Sequence, residues 1–96
     1  NILSMKYLKG NVADAEIQLF PNPASEKFTL LYPAFKDESL KIELYGLNGR
    51  LVHSTEAKAI KGSNQIDIDI VGLPSGQYLV RIISDSRLFN DRLQID

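Results

Sequence analysis

From Ile17 onward, apolar and polar residues alternate with a period of two, the mark of strands with one buried face and one wet face. Helical periodicity is absent. Leu40, Ile42 and Leu44 alternate with Lys41 and Glu43, which predicts a strand with its apolar side in and its charged side out. The same pattern places Phe28, Leu30 and Tyr32 on one face of a strand over Lys27–Tyr32, and Ile66, Ile68 and Ile70 opposite the exposed Asp67 and Asp69. Over Gln77–Ser84, Tyr78, Val80 and Ile82 share one face while Leu79, Arg81 and Ile83 share the other. Apolar residues on both faces make this a central or covered strand. In the last strand Phe89, Leu93 and Ile95 fall in one register and Asn90, Arg92 and Gln94 in the other. With Ile17–Phe20 and Leu51–Ala57, the latter expected to run back antiparallel to its predecessor, seven strands are predicted.

The breaks between strands carry turn chemistry. Pro21 and Pro23 fix φ and push Phe20 and Asn22 toward extended backbone, ending any ladder there. Pro33 is expected to stop the second strand, leaving Pro33–Ser39 as a loop. Asn48-Gly49 is the strongest hairpin signal in the chain. Gly62-Ser63-Asn64, Gly72-Leu73-Pro74-Ser75-Gly76 and Asp85-Ser86 read as further turns. Strands recurring every 8–12 residues or so between such turns predict an all-β, immunoglobulin-like antiparallel β-sandwich.

A length of 96 residues suits one core, and 44% hydrophobic with 24% charged residues is ordinary globular composition. The leading residues 1–15 include most of the polar Lys9-Gly10-Asn11-Val12-Ala13-Asp14-Ala15-Glu16 run. They read as a linker or leading segment from a preceding region, ahead of a domain over residues 16–96. Ile2, Leu3, Met5, Tyr7 and Leu8 leave open an additional edge strand or the remnant of a preceding domain. A start at Asn1, without methionine or a signal-peptide apolar region, reads as a fragment of a longer protein. Eleven basic against twelve acidic side chains, with no basic cluster, speak against nucleic acid as partner. The absence of cysteine removes disulfides, thiol catalysis and thiolate metal sites. No apolar run approaches the roughly 20 residues that span a bilayer as a helix.

Catalytic chemistry finds little material. His53 is the sole histidine, and Ser54 beside it must point to the opposite strand face, so a Ser-His-Asp arrangement is disfavoured. Asp67 and Asp69, like Asp37 and Glu38, read as solvated carboxylates rather than a Ca²⁺ site, which needs about 6–8 oxygens from a folded loop. The glycines sit between strands and open no helix that could hold a phosphate. Tyr7, Tyr32, Tyr45 and Tyr78 suggest a sugar-stacking platform, but Tyr32 and Tyr78 share the face of their strands' core residues, and packing is the favoured reading. No catalytic, cofactor-binding or metal-binding residue is assigned, and no cofactor is expected.

The order of the turns carries more information than any one of them. Leu19-Phe20-Pro21-Asn22-Pro23, then Leu44-Tyr45-Gly46-Leu47-Asn48-Gly49-Arg50, then Leu73-Pro74-Ser75-Gly76-Gln77-Tyr78, then a short final strand resemble the type IX secretion C-terminal sorting domain family over about residues 17–96. The resemblance implies an address rather than a reaction. Cargo N-terminal to the domain would be exported through the outer membrane by a translocon that recognises the domain. A sortase-like protease would commonly then cleave at or before residues 1–15 and join the cargo to a surface lipopolysaccharide. Pro21, Asn22, Pro23, Gly49, Arg50, Leu73, Gly76 and Tyr78 are the motif residues, for fold or recognition. One departure is the ending Arg92-Leu93-Gln94-Ile95-Asp96, which closes on an acid where family members finish with a basic strand. Two readings of that strand stay open. Phe89, Arg92, Leu93 and Ile95 either offer an exposed strand that adds to a translocon sheet or complete the domain's own core. Leu79 and Ile83, facing outward, make a weak homodimer conceivable. A carbohydrate-binding or fibronectin-like accessory module of a secreted enzyme shares the same strand grammar and stands as the alternative function.

Overall fold

A computed structural model describes residues 16–96. The expected linker over residues 1–15 lies outside the described residues. Seven strands form: β1 (Gln18–Phe20), β2 (Lys27–Ala34), β3 (Glu38–Gly46), β4 (Leu51–Ala59), β5 (Gly62–Asp69), β6 (Gly76–Ile83) and β7 (Leu88–Ile95). They build two antiparallel sheets, one of order β1-β2-β5 and one of order β4-β3-β6-β7. The result is the immunoglobulin-like sandwich expected from the alternation.

The inner faces supply the core. Phe28, Leu30 and Tyr32 of β2 meet Leu40, Ile42 and Leu44 of β3, Val80 and Ile82 of β6, and Leu93 and Ile95 of β7, all with at most 1% exposure. Each such side chain contributes about 1.5–3 kcal/mol by leaving water, against the chain entropy of ordering it. Strand position follows from the pattern. β3 and β6 are central in the four-stranded sheet, as expected for β6 from its two apolar faces; the apolar-in, charged-out alternation of β3 does not foretell its place. β4, with Ser54, Glu56 and Lys58 exposed, occupies an edge.

Three boundaries differ from the sequence expectation. Pro33 does not end β2, which continues to Ala34 and leaves only residues 35–37 between β2 and β3. β1 pairs with β2 from Leu31 to Thr29, so at Pro33 the ladder runs to β5 alone among the described residues, the edge-like setting that tolerates a missing N–H. Gly62-Ser63-Asn64 is likewise not a turn but the start of β5, paired with Tyr32, Pro33 and Ala34. The chain changes sheets one step earlier, at Ile60-Lys61. Asn64 holds that corner from within its strand, accepting the Ile60 N–H at 2.9 Å and donating to the Ile60, Gly62 and Tyr32 carbonyls at 2.8–3.1 Å. The Gly72–Gly76 turn also passes between sheets, from β5 to β6.

Two acids expected in solvent are buried. Glu38 is 7% exposed and opens β3, where its carboxylate accepts hydrogen bonds from the Tyr32 hydroxyl at 3.2 Å and the Ser86 hydroxyl at 3.0 and 3.2 Å. Glu43, also 7% exposed, stands on the outer side of β3, between Ser54 on β4 and Arg81 on β6 in the ladder. A central strand covers its outer side chains with its neighbours' long ones, which the alternation of a single strand does not register.

The strand ends sort into two poles. The β3–β4 hairpin, the β5–β6 turn, the segment between β1 and β2 and the end of β7 lie at one. The β2–β3 loop, the β4–β5 corner and the β6–β7 turn lie at the other. Eight-residue strands such as β6 and β7 separate the poles by about 26 Å at 3.3 Å per residue.

Candidate functional site

The three turn motifs singled out in the sequence all fall at the first pole, where the final strand also ends. The blocks are far apart along the chain, so the fold alone gathers them.

The proline block works as a strap on the last strand. After β1 the chain turns through Pro21-Asn22-Pro23 and lays Ala24 against Ile95 in a parallel bridge on the outer edge of β7. Ala24 donates its N–H to the Gln94 carbonyl at 2.8 Å, and its own carbonyl accepts the Asp96 N–H at 2.8 Å. The Asn22 amide completes the edge, donating to the Arg92 carbonyl at 3.2 Å and accepting the Gln94 N–H at 2.9 Å. Ala24 is 1% exposed, so a small residue is needed where the strap crosses the sandwich mouth. The strap occupies the hydrogen-bonding edge of β7 from Arg92 to Asp96, leaving Leu88–Asp91 as the part of that edge it does not reach.

The hairpin block forms the tight turn its Asn-Gly pair predicts. Gly49 adopts φ 81°, in the left-handed region that costs L side chains strain, and the Asn48 side chain accepts the Arg50 N–H at 3.0 Å. Arg50 returns the chain by accepting the Gly46 N–H on its carbonyl at 2.9 Å. A bulge between Leu44 and Tyr45 turns the hairpin's end relative to its sheet. In the third block, the Tyr78 hydroxyl donates back to the Pro74 carbonyl, and the Leu73 N–H reaches the Ile70 carbonyl at 3.1 Å. Leu73 packs against the core and Tyr78 is buried, so these motif residues build the turn itself.

Between the hairpin block and the third block, on the outer side of the four-stranded sheet, runs an open groove of about 510 Å³. Tyr45, Leu47, Gln77, Leu79, Arg81 and Arg92 form its walls, with Gly49 and Tyr78 at its margin. Leu47 is 83% exposed and Leu79 41%, an apolar surface that no element of the described chain covers. Glu43 stands beside it, two residues before Tyr45 on β3 and opposite Arg81 on β6. The Tyr45 hydroxyl donates to Glu43 at 2.9 Å, and Lys41 approaches the same carboxylate at 3.7 Å. Sharing its proton with that carboxylate holds the Tyr45 hydroxyl above its usual pKa.

The structure does not bring the side chains of the residues named for strand addition to one place. Leu93 and Ile95 are core residues, at 0% and 1% exposure. Phe89 is half-buried at the opposite pole, where it lines a recess with Glu16, Ile17, Arg87 and Leu88. Arg92 alone of the set reaches the groove. Gln77 and Arg81 escaped the sequence reading as site residues, and Tyr45 entered it only as a stacking candidate and a hairpin residue. Their outward register was visible, but their meeting depends on the pairing of β3 with β6 and of β6 with β7.

Other candidates resolve into structure. Tyr32 and Tyr78 are buried, so they form no stacking platform with Tyr45. His53 is half-buried on β4 and Ser54 is exposed on the other face. Among the described residues no three His, Cys, Asp or Glu side chains cluster as a metal site. Asp67 binds Thr29 at 2.8 Å and Lys27 at 3.2 Å, while Asp69 accepts the Val71 N–H at 2.9 Å. No described helix is long and apolar enough to cross a membrane.

A search of the curated proteins finds no match to the chain. A family model described as a secretion system C-terminal sorting domain matches residues 18–96, from the first residue of β1 to the end of the chain. The order of the proline strap, the Asn-Gly hairpin and the tyrosine-closed turn agrees with that assignment, and the chain belongs to the type IX secretion C-terminal sorting domain family, the signal that sends cargo across the outer membrane to the cell surface or beyond.

Proposed function

We propose that the domain exports a cargo region N-terminal to it by presenting its motif-bearing pole to the type IX translocon, after which a sortase-like protease cleaves at or before residues 1–15 and anchors the cargo at the surface. The observation that carries this reading is the convergence of sequence-distant motif blocks on one pole, two of which line an uncovered groove. Orientation supports it. Glu16 and Ile17 lie beside Arg87, Leu88 and Phe89 at the far pole, so a cargo attached through residues 1–15 would leave the motif pole open to a partner. The family is a sorting signal rather than a catalyst, and the domain is read as folded surface.

The test is a fusion of residues 1–96 behind a periplasmic reporter in a type IX-competent bacterium, with a translocon-deficient strain as control. Export that depends on the translocon supports the reading. Retention of a folded fusion in both strains, even with a basic residue added after Asp96, overturns it in favour of an accessory binding module.

A further inference from the structure

The groove at the motif pole has a chemistry of its own. Of its apolar walls, Leu47 and Leu79 stand open to solvent and Tyr45 is half-buried. Its charged walls, Arg81 and Arg92, form no ion pair among the described residues, and Arg81 Nε is buried without a hydrogen-bond partner. Glu43, which faces Arg81 across the β3–β6 ladder, is already engaged by Tyr45 and Lys41. The groove therefore presents unsatisfied positive charge beside exposed hydrophobic surface. A volume of about 510 Å³ takes more than one side chain.

We propose that this groove binds an extended segment of a partner protein in which an aromatic or aliphatic side chain stands next to a carboxylate. The apolar side chain lies between Leu47, Tyr45 and Leu79, and the carboxylate takes the guanidinium groups of Arg81 and Arg92. Charge complementarity selects this occupant. Two arginines in a chain of net charge -1 do not make the track that a nucleic-acid backbone needs, whereas one carboxylate satisfies a planar guanidinium with paired hydrogen bonds. The proposal rests on the sorting reading, because it gives the chemistry of the partner which that reading requires.

The probe is a blocked hexapeptide, Ser-Thr-Phe-Asp-Thr-Ser, titrated into the full chain while backbone amide shifts are followed. Saturable shifts at Tyr45, Leu79 and Arg81 are expected. Replacing the peptide's Asp by Asn, or Arg92→Gln in the protein, should each weaken binding about tenfold, the scale of one charge-assisted hydrogen bond. Leu79→Ser should weaken it comparably, and added salt should weaken it progressively. Absence of saturable shifts, shifts confined to other surfaces, or equal affinity for the Asp and Asn peptides overturns the proposal. So do concentration-dependent shifts at the same amides without peptide, which would place a second copy in the groove. Thermal melts confirm that each variant folds. The Arg92→Gln and Leu79→Ser fusions are also assayed for export. Translocon-dependent export indifferent to both substitutions overturns the groove chemistry while the sorting reading stands, whereas export independent of the translocon overturns the sorting reading itself.

Discussion

The two poles of the sandwich use polar side chains in opposite ways. At the far pole they are spent inward. The Tyr32 hydroxyl donates to Glu38 or Ser84, at 3.2 and 3.0 Å, and accepts from Arg87 Nε at 3.3 Å. The same guanidinium bonds the Pro33 carbonyl and lies 4.7 Å over the Tyr32 ring. Ser86 closes the circle onto Glu38 at 3.0 Å. This network joins β2, β3 and the β6–β7 turn, and its burial makes each bond costly to lose. At the motif pole the backbone is just as well tied, by the strap and the Tyr78 closure, but the side chains around the groove are left open. A pole whose polar groups satisfy one another holds the fold together. One whose arginines face uncovered apolar surface is available to something else. The motif residues supply the scaffold of that second pole, and residues outside the motifs, notably Leu79 and Arg81, supply much of its exposed chemistry.

The harshest way to break the distinction is to remove the core under the motif pole. Leu93→Ala should cost about 2–5 kcal/mol, measured by denaturant unfolding, because Leu93 is 0% exposed. Deleting Arg92–Asp96 should be worse, since it removes Leu93 and Ile95 together and unties the strap. Loss of export on that deletion would therefore report unfolding, and side-chain substitution at Arg92 is the cleaner probe of recognition.

Tyr32→Phe sharpens the comparison from the far pole. It strips a hydroxyl from Glu38, Ser84 and Arg87 and should destabilise by about 1–3 kcal/mol. Export of the variant at a temperature where it remains folded should match the parent; a selective export defect there would show that the far pole is also read.

Gly49→Ala is expected to cost about 1–2 kcal/mol, from backbone strain alone. The residue has φ 81°, and an added Cβ meets nothing within 4 Å. A melting temperature equal to the parent's would show that the hairpin relaxes freely.

The smallest effect lies on the three-stranded sheet, toward the motif-pole end of β2 and β5. The Thr29 hydroxyl, and then Lys27, hold the Asp67 carboxyl below its ordinary value of 3.8. A carboxylate with a depressed folded-state pKa stabilises the fold above that ordinary value and loses the contribution as pH falls through the folded value. Asp67→Asn should thus melt slightly below the parent at neutral pH, and the gap should close on acidification below about 3.8. A gap independent of pH would assign the effect to the hydrogen bond alone.

Strand number, inner faces and the main hairpin were legible from residues 17–96 because period-two alternation and Asn-Gly turn chemistry are local properties. Phe28, Leu30, Leu40, Ile42, Val80 and Ile82 all lie where the alternation puts them, in the core. The motif order was equally a property of the chain, and it pointed to the sorting family before any contact was known. Tertiary pairing decided the rest. It carried β2 through Pro33 by leaving that flank without a described ladder partner, and it buried Glu38 and Glu43 beneath residues from other strands. It also brought Asn22 to Arg92 and Gln94, some 70 positions along the chain, and set Tyr45, Leu79 and Arg92 side by side across three strands. Alternation tells which way a side chain faces, but a site is made of neighbours, and neighbours in a sandwich are chosen by strand order and register rather than by the strand's own sequence.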